Sequence, residues 1–354
     1  SLAAEIAPQL SVLIAEAEER PGYHATGRSA AFWTESYGGP MVQPLTSASG
    51  PWLDRPPLSV SERGFLSPRG ALTMARYGEE EALDAFVSEF AGSGVRFETC
   101  DRAVLENHVP GLDRAFIAGV FEPDCCDIDV AGLHGALLGA AARAGAKLAP
   151  RAPLVEAARA QPGWRLRLGE DTVRARTVVN AAGAWADKVA AMAGVTPIGI
   201  QPLRRTMVQL RTSPAAPADL PLTLGVMGDF YFKPEAGRIW LSPHDETLAE
   251  PGDAAPEEID VAMAIDRFRH VVDWQVQAVE HRWAGLRSFA PDRLPVIGFD
   301  RSIPDFFWFA GQGGFGIQTA PAAAALAATI LLGRTPPAML AAVDPSLYDP
   351  ARLG

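Results

Sequence analysis

The chain has 354 residues, of which 48% are hydrophobic, and it carries a formal net charge of −11 at pH 7. This length suits two domains with a substantial core. The negative charge argues against nucleic acid or an anionic membrane surface as the main partner.

Cysteine and histidine are too sparse for a stapled or metal-centred fold. The three cysteines make no disulfide framework and favour a reducing compartment. We therefore expect a cytoplasmic protein, with peripheral attachment to the inner membrane as the alternative. The six histidines lack metal-ligand spacing, so we expect no metal. The longest apolar stretch, residues 320–332, is too short to span a bilayer.

The first predicted elements are the tail of a helix in SLAAEIA and a strand in LSVLIAE, residues 10–16. The strand stops at Glu16, as does the second strand of a dinucleotide-binding βαβ unit, whose terminal acid holds a ribose hydroxyl. The Gly-rich turn of such a unit lies about 20 residues earlier. We therefore expect the first strand and its Gly-rich loop to lie upstream of Ser1; the alternative is a protein that binds its dinucleotide without this pyrophosphate cradle.

The middle of the chain alternates helical and strand patterns. Residues 78–94, 129–146 (capped by Asp129) and about 257–272 predict helices. Strands are predicted in RARTVVNAAG and RTMVQLRT, and DFYFKPEAGRIWLSP predicts a hairpin around the turn EAG. With nucleotide-type elements at both ends and β-rich segments between them, the pattern indicates a nucleotide-binding domain interrupted by a second domain.

The sequence GQGGFG, residues 311–316, is a literal G-x-G-x-x-G between an apolar strand and a helix. A dinucleotide site also needs an acid-ended strand about 20 residues further on, and none follows. We therefore reject it as a pyrophosphate site. Glycines at a helix N-terminus instead bring bare N–H groups and a positive dipole to a ligand, such as the edge of a reduced flavin. The alternative is a tight turn without a ligand.

Four segments together resemble one family: PGYHATGRSAA, VVNAAGAWAD, RWAGLRSFAPDRLPVIG and FFWFAGQGGFGIQT. The chain resembles the D-amino-acid oxidase (DAO) superfamily of FAD-dependent oxidoreductases, and within it most of all the bacterial FAD-dependent D-arginine dehydrogenases. The resemblance implies an α/β + β fold. Its Rossmann-like FAD-binding domain would comprise residues 1–40, 125–195 and 280–354. An interleaved substrate domain on a mostly antiparallel sheet would comprise residues 41–124 and 196–279.

The resemblance also assigns cofactor residues, for FAD bound non-covalently. Glu16 would hold the adenosine ribose, and Leu154 would contact the adenine through its backbone. The remaining positions would line the pyrophosphate and the isoalloxazine ring: Thr26, Arg28, Ser29, Ala30, Ala31, Ala182, Gly183, Trp185, Gly285, Gly313, Phe315, Gly316, Ile317 and Thr319.

For the substrate, the resemblance implies that Arg205 and Arg287 clamp a carboxylate, because a guanidinium fork matches it bidentately. Tyr37 and Tyr231 would donate hydrogen bonds to it, although Tyr231 also fits a strand core. The other implied substrate residues are Gly314, whose carbonyl would accept from the amine, Gln318 and, in the side-chain pocket, Thr34. For Arg204 we expect a surface ion pair.

Two pocket positions depart from the D-arginine dehydrogenases. Phe32 stands where they have a histidine, and Ala71 where they have an acid. A buried guanidinium without a counter-charge is disfavoured by several kcal/mol. We therefore expect D-arginine and D-lysine to be poor substrates.

The expected reaction is oxidation of a D-amino acid with an apolar side chain, by hydride transfer to flavin N5. The imino acid then hydrolyses to a 2-oxo acid and ammonia. The electron acceptor is oxygen or a quinone-like compound, and the resemblance favours a dehydrogenase. Oxidation of 2-hydroxy acids or N-methyl amino acids is one alternative. A non-catalytic, flavin-free remnant is another.

Overall fold

The structure is a computed structural model that describes all residues 1–354. The α helices are α1 Leu2–Ile6, α2 Gln43–Asp54, α3 Glu80–Glu89, α4 Arg102–His108, α5 Val130–Arg143, α6 Ala186–Met192, α7 Glu258–Arg269 and α8 Ala320–Leu332. The first ten strands are β1 Leu13–Ala15, β2 Phe32–Trp33, β3 Leu66–Pro68, β4 Ala71–Arg76, β5 Glu98–Asp101, β6 Phe116–Glu122, β7 Cys126–Ile128, β8 Lys147–Ala149, β9 Leu154–Arg159 and β10 Trp164–Leu168. The others are β11 Asp171–Ala175, β12 Val178–Asn180, β13 Gln201–Ser213, β14 Leu222–Gly225, β15 Tyr231–Glu235, β16 Arg238–Ser242, β17 Thr247–Leu248, β18 Gln275–Phe289, β19 Val296–Phe299 and β20 Phe306–Ala310.

Short parallel pairs form at both ends of the chain. Strand β1 pairs in parallel with β8, and β12 pairs in parallel with β20, which also pairs with β19. The strand predicted over residues 10–16 is confirmed but shorter, since β1 covers only three residues. The single strand predicted in RARTVVNAAG is wrong in detail, because β11 and β12 belong to different sheets.

The largest sheet has nine strands in the order β17-β13-β16-β15-β14-β4-β6-β5, and β18 also pairs with β13. Every pairing in it is antiparallel except that of β4 with β14. The expected mostly antiparallel sheet is therefore confirmed. The boundary proposed between residues 279 and 280 falls inside β18, and the division into domains stays a prediction.

The helices follow their sequence signals. The Asp129 carboxylate accepts a 2.8 Å hydrogen bond from the Gly132 N–H and so caps α5. Helix α8 is buried through Ala322–Ala328 and ends at Gly333, whose φ of 59° is left-handed. Its small alanine side chains let α1 and α2 pack against it. Helix α7 ends three residues before the predicted limit.

Burial concentrates in three main cores. One lies between the nine-stranded sheet and helices α4 and α7, a second surrounds α8, and a third joins β10, α6 and β20. No helix is long and apolar enough to cross a membrane. Nowhere do three or more histidine, cysteine, aspartate or glutamate side chains gather in a metal-binding arrangement.

Candidate active site

A cavity of about 370 Å³ lies where the start of α8 meets strands β13, β15 and β18. Most of the residues predicted from the sequence line it. On the cofactor side these are Thr26, Arg28, Ser29, Ala30, Ala31, Gly183, Gly285, Gly313, Phe315, Gly316 and Ile317. On the substrate side they are Phe32, Tyr37, Arg205, Tyr231, Arg287, Gly314 and Gln318.

Five predicted cofactor residues do not line this cavity. Glu16 follows β1, and its carboxylate accepts a 3.0 Å hydrogen bond from the Glu18 N–H. Leu154 begins β9, and Ala182 immediately precedes Gly183. The Trp185 ring lies 4.8 Å from that of His24, centroid to centroid. Thr319 is buried, and its hydroxyl donates to the Phe315 carbonyl oxygen at 2.9 Å, which is a structural contact.

The glycine turn at residues 311–316 brings bare backbone to the cavity wall. Gly313 has a φ of 57°, and its N–H donates to the Ser288 carbonyl oxygen at 2.9 Å. A Cβ added to Gly314 would lie 2.8 Å from Tyr37 Oη and 3.0 Å from Arg287 Nη1. A side chain at this position would displace Tyr37 or Arg287, so only glycine lets the turn pack this closely against them.

The pairing of β13 with β18 places the two arginines on one face. Arg205 lies opposite Gly285, and Arg287 lies opposite Leu203. Because side chains alternate along a strand, Gly285 and Arg287 share a face, and Arg205 shares it with them. The two guanidinium groups are thus diagonal neighbours, and no side chain opposes Arg205 directly.

Several guanidinium donors in this pair lack partners. Arg205 Nη1, Arg205 Nη2 and Arg287 Nε are buried without a hydrogen bond. Arg205 Nε donates to the Asp245 carbonyl oxygen at 2.9 Å, and Arg287 Nη1 donates to Tyr37 Oη at 3.3 Å. Their side chains are only 6% and 12% exposed. Buried donors normally find acceptors, so these three indicate an anionic ligand.

The arginine charges alter the titration of their neighbours. Burial raises the pKa of Tyr37, but the positive charges of Arg287 and Arg205 outweigh this and leave the pKa below its usual value. For Tyr231 burial prevails over the charge of Arg205, and its pKa is raised. Burial, Arg205 and Arg287 together lower the pKa of His244 to about 3, so this ring is neutral.

Two buried side chains hold the turn that carries Tyr37. Gln318 accepts from the Thr34 N–H at 3.2 Å and donates to the Tyr37 carbonyl oxygen at 3.0 Å. From another direction, Glu122 accepts from the Glu35 N–H at 2.7 Å and the Ser36 hydroxyl at 2.6 Å. Thr34 and Gln318 therefore orient this turn, whatever contact Gln318 also makes with a ligand.

Of the predicted side-chain pocket residues, Phe32 lines the cavity, whereas Thr34 and Ala71 do not, and Ala71 packs in the apolar cluster behind it. Phe32 and Ala71 are 9% and 4% exposed and pack with Tyr231, Met207 and Cys125. The Phe32 ring meets the rings of Tyr37 and Tyr231 edge to face, with centroids 5.2 and 6.1 Å apart. Tyr231 Oη contacts the Met207 sulfur at 3.1 Å, so this tyrosine is both a core residue and part of the cavity wall.

Two arginines differ from expectation. The surface ion pair expected for Arg204 is wrong, because the residue is 9% exposed and pairs with Asp260 at 2.9 Å and with Glu257. Arg28 was expected to contribute backbone and small groups. Its guanidinium donates to the Ala254 and Ala284 carbonyl oxygens and pairs with Asp253, so it secures the nearby loop.

Some cavity residues escaped the sequence analysis. Met207 lies two residues after Arg205 on the same strand, so strand periodicity could have found it. His134 lies on α5 and Gln312 in the glycine turn, and the Gln312 Nε2 is buried without a partner. Glu246 contacts both clamp arginines from a loop, and no local pattern points to it.

Known proteins agree with this architecture. Glycine oxidase from Geobacillus kaustophilus superimposes with a TM-score of 0.82 at 22% identity, over 97% of this chain and 94% of that one. L-proline dehydrogenase from P. horikoshii gives a TM-score of 0.83 at 21% identity, over 99% and 93%. At these identities the likeness establishes the fold.

The match with curated relatives covers only part of those longer proteins, 38% of one and 29% of another. The bifunctional protein ThiO/ThiG of Nostoc sp. is 26% identical over 262 residues, which are 72% of this chain and 38% of that protein. Mitochondrial dimethylglycine dehydrogenase of Mus musculus is 26% identical over 258 residues, 66% of this chain and 29% of that protein. None of these four proteins is named as a D-arginine dehydrogenase, so that narrower likeness stays a prediction.

The family itself is decided by a match over most of the chain. A sequence model of the family described as DAO, FAD dependent oxidoreductase, matches residues 1–330. The bare backbone of the glycine turn, the cavity and the unpaired guanidinium donors suit a flavin with an anionic ligand beside it. The chain therefore belongs to the DAO family of FAD-dependent oxidoreductases, with FAD as its cofactor.

Proposed function

We propose that this protein oxidises the α-carbon of an amino acid with an apolar side chain, a D-amino acid, to an imino acid. Water then releases a 2-oxo acid and ammonia. The observation that carries the proposal is the set of three buried, unpartnered donors on Arg205 and Arg287. A carboxylate is the acceptor that two adjacent guanidinium groups bind best.

The chain's own residues bind and orient the substrate. Arg205 and Arg287 hold the carboxylate, and Tyr37, already in contact with Arg287, adds a hydroxyl donor. The Gly314 carbonyl accepts from the amine. The arginine charges favour the neutral amine, whose lone pair forms the C=N bond as the hydride leaves Cα. FAD, when bound, accepts that hydride. Most of the rate enhancement then comes from orientation.

The apolar wall sets the side-chain preference in this proposal. Phe32 and Met207 line the cavity, with Ala71 packed behind them, and none of the three offers a negative charge to a cationic side chain. A guanidinium or ammonium buried there would lack a counter-ion. The proposal therefore favours apolar or aromatic side chains over D-arginine and D-lysine.

A second candidate is oxidation of an N-methylated amino acid, which would use the same carboxylate clamp. The 26% identity to a dimethylglycine dehydrogenase over 66% of this chain favours it. Oxidation of a 2-hydroxy acid is the third candidate, because the two arginines bind the carboxylate and do not distinguish an amine from a hydroxyl on the α-carbon.

One experiment separates these candidates. The FAD-loaded protein is mixed anaerobically with D- and L-amino acids, their N-methyl forms and 2-hydroxy acids, and loss of flavin absorbance is followed. The proposal expects fastest bleaching with apolar D-amino acids. A strong preference for D-arginine would contradict it, and bleaching only by N-methyl or 2-hydroxy compounds would favour those alternatives. Repeating the assay with oxygen or a quinone as acceptor distinguishes an oxidase from a dehydrogenase.

A further inference from the structure

A carboxylate contacts the arginine clamp from outside the cavity. Glu246 Oε1 lies 2.6 Å from Arg287 Nη2, 2.8 Å from Arg293 Nη2 and 3.6 Å from Arg205 Nη2. Glu246 does not line the cavity, and its side chain is 35% exposed, far more than those of Arg205 and Arg287. It therefore approaches the two clamp arginines from the solvent side.

Glu246 does not occupy the unpartnered donors of Arg205 and Arg287. It occupies Arg287 Nη2, while Tyr37 occupies Nη1. Arg205 Nη1, Arg205 Nη2 and Arg287 Nε still have no hydrogen bond. The carboxylate thus does not fill the place of a ligand. Its effect on a ligand is instead electrostatic, through the charge it adds behind the guanidinium groups.

The charges around the clamp can be counted. Arg205, Arg287 and Arg293 are positive, and Asp245 and Glu246 are negative. A hydrogen bond from Arg293 and the charge of Arg287 outweigh the effect of burial and lower the pKa of Glu246 to about 2, so it is ionised at neutral pH. The neighbouring His244 ring is neutral. The balance is one positive charge, which one carboxylate neutralises.

We propose that Glu246 restricts the clamp to ligands with a single carboxylate, because its charge cancels one arginine charge and repels a second carboxylate at the same end. The inference rests on the proposed function only in taking the ligand to be a carboxylate in this cavity. Arg293, with its guanidinium over the Phe289 ring at 4.0 Å from the centroid, contacts Glu246 and partly offsets its charge, while Arg287 keeps Glu246 beside the clamp.

The test compares acetate and malonate, which differ by one carboxylate close to the first. Each is titrated against the FAD-loaded protein, and Kd is read from the perturbation of the flavin absorbance. In Glu246→Gln we expect the Kd of malonate to fall relative to the Kd of acetate on the order of tenfold. This is the effect of removing one charge a few ångströms away in a partly buried site. In Arg293→Gln, which removes a positive charge, we expect the opposite shift.

Glu250→Gln is the matched control. It removes the same charge from the same region, but Glu250 is 93% exposed and contacts only Lys188, so we expect an unchanged ratio. The inference is overturned if the ratio of the malonate Kd to the acetate Kd is the same in Glu246→Gln and in the wild type. It is also overturned if Glu250→Gln changes this ratio as much as Glu246→Gln does. If Glu246→Gln does not fold, Arg293→Gln still decides, because an unchanged or increased malonate preference overturns the inference.

Turnover is measured separately, so the two proposals fail separately. Ligand binding with the expected shift, but no oxidation of any D-amino acid, overturns the proposed function and leaves this inference standing. Binding without the shift overturns this inference alone. If neither acetate nor malonate perturbs the flavin of the wild type, the carboxylate clamp is wrong and both proposals are overturned.

Discussion

At the scale of single residues, Arg287 links the cavity wall to the loop that carries Glu246. It contacts Tyr37 and Glu246, and its Nε is unpaired. We expect Arg287→Ala to raise KM and to lower kcat/KM at least about thirtyfold, since losing one partner of a buried charged hydrogen bond costs about 2 kcal/mol or more. Steady-state kinetics on the best D-amino acid measures this, with the flavin spectrum as a check on cofactor content.

Arg211→Ala is the control for this prediction. Arg211 is on the same strand as Arg205 but half exposed, and it pairs with Glu280 on the surface. Its removal should leave kcat/KM within about twofold of wild type, because the Arg211–Glu280 pair lies outside the site. Exposed ion pairs also contribute only about 1 kcal/mol or less to stability. An Arg287→Ala variant as active as Arg211→Ala would contradict the clamp.

The apolar cluster behind the cavity offers a test of the proposed side-chain preference. We expect Ala71→Glu to raise kcat/KM for D-arginine relative to D-phenylalanine on the order of tenfold, because it places a counter-charge directly behind the cavity wall, beside Phe32 and Tyr231. Ala71→Gln has nearly the same volume without the charge and should not do so. Equal effects of the two variants would show that volume rather than charge sets the preference.

At the scale of elements, the Thr34–Tyr37 turn depends on two distant side chains. Glu122 is the last residue of β6, and Gln318 precedes α8, so the large sheet and the glycine-turn region both fix the position of Tyr37. Glu122 is 2% exposed, and burial, which prevails over the hydrogen bonds that it accepts from the Ser36 hydroxyl and the Glu35 N–H, raises its pKa.

This raised pKa predicts a pH dependence of stability. The folded chain holds the Glu122 proton more tightly than the unfolded chain, so the contribution of Glu122 to stability falls as pH rises from about 4.3 through its raised pKa. Glu122→Gln stays neutral, and its amide can accept from the Glu35 N–H and donate to the Ser36 hydroxyl oxygen. We therefore expect the variant to gain stability relative to wild type across this window. Thermal unfolding at a series of pH values measures it, and a constant difference would contradict the assignment.

The register of β13 against β18 is the second feature of the elements that shapes the candidate site. The two strands are far apart in sequence, yet their register places Arg205 and Arg287 on one face with Gly285 between them and the glycine turn beyond. A slip of one residue would turn one arginine away from the cavity. Each strand shows its own pattern in the sequence, but nothing local specifies this register.

At the scale of the whole molecule, we expect FAD binding to stabilise the folded chain against unfolding. The cavity is lined by residues from both ends and the middle of the chain, so ligand binding favours only the folded state. At free FAD of a hundred times Kd, linkage adds about 2.7 kcal/mol. We expect the purified protein to show flavin bands near ~370 and ~450 nm and FAD to raise the Tm of flavin-stripped protein.

The control is Arg287→Ala, which should keep the Tm increase, because Arg287 is assigned to the substrate and not to the cofactor. Flavin bands that are absent from the wild type, together with no effect of added FAD on Tm, would favour the non-catalytic alternative.

The sequence by itself determined the family, the cofactor and most residues around the cavity. Those conclusions rest on the resemblance of four sequence segments to the DAO superfamily. Local patterns gave the elements around them: the Asp129 cap, the apolar strand ending before Glu16 and the Gly-rich turn before α8. Each is readable because helix caps, strand alternation and glycine turns depend on neighbours only a few residues away.

Only the tertiary structure decided how these parts meet. It showed that Arg204 is buried against Asp260, that RARTVVNAAG is divided between two sheets, and that Glu246 lies behind the clamp. It also left three donors of Arg205 and Arg287 without partners. Such facts depend on strand register and on loops that converge from distant parts of the chain, and no local periodicity encodes which charge will face which.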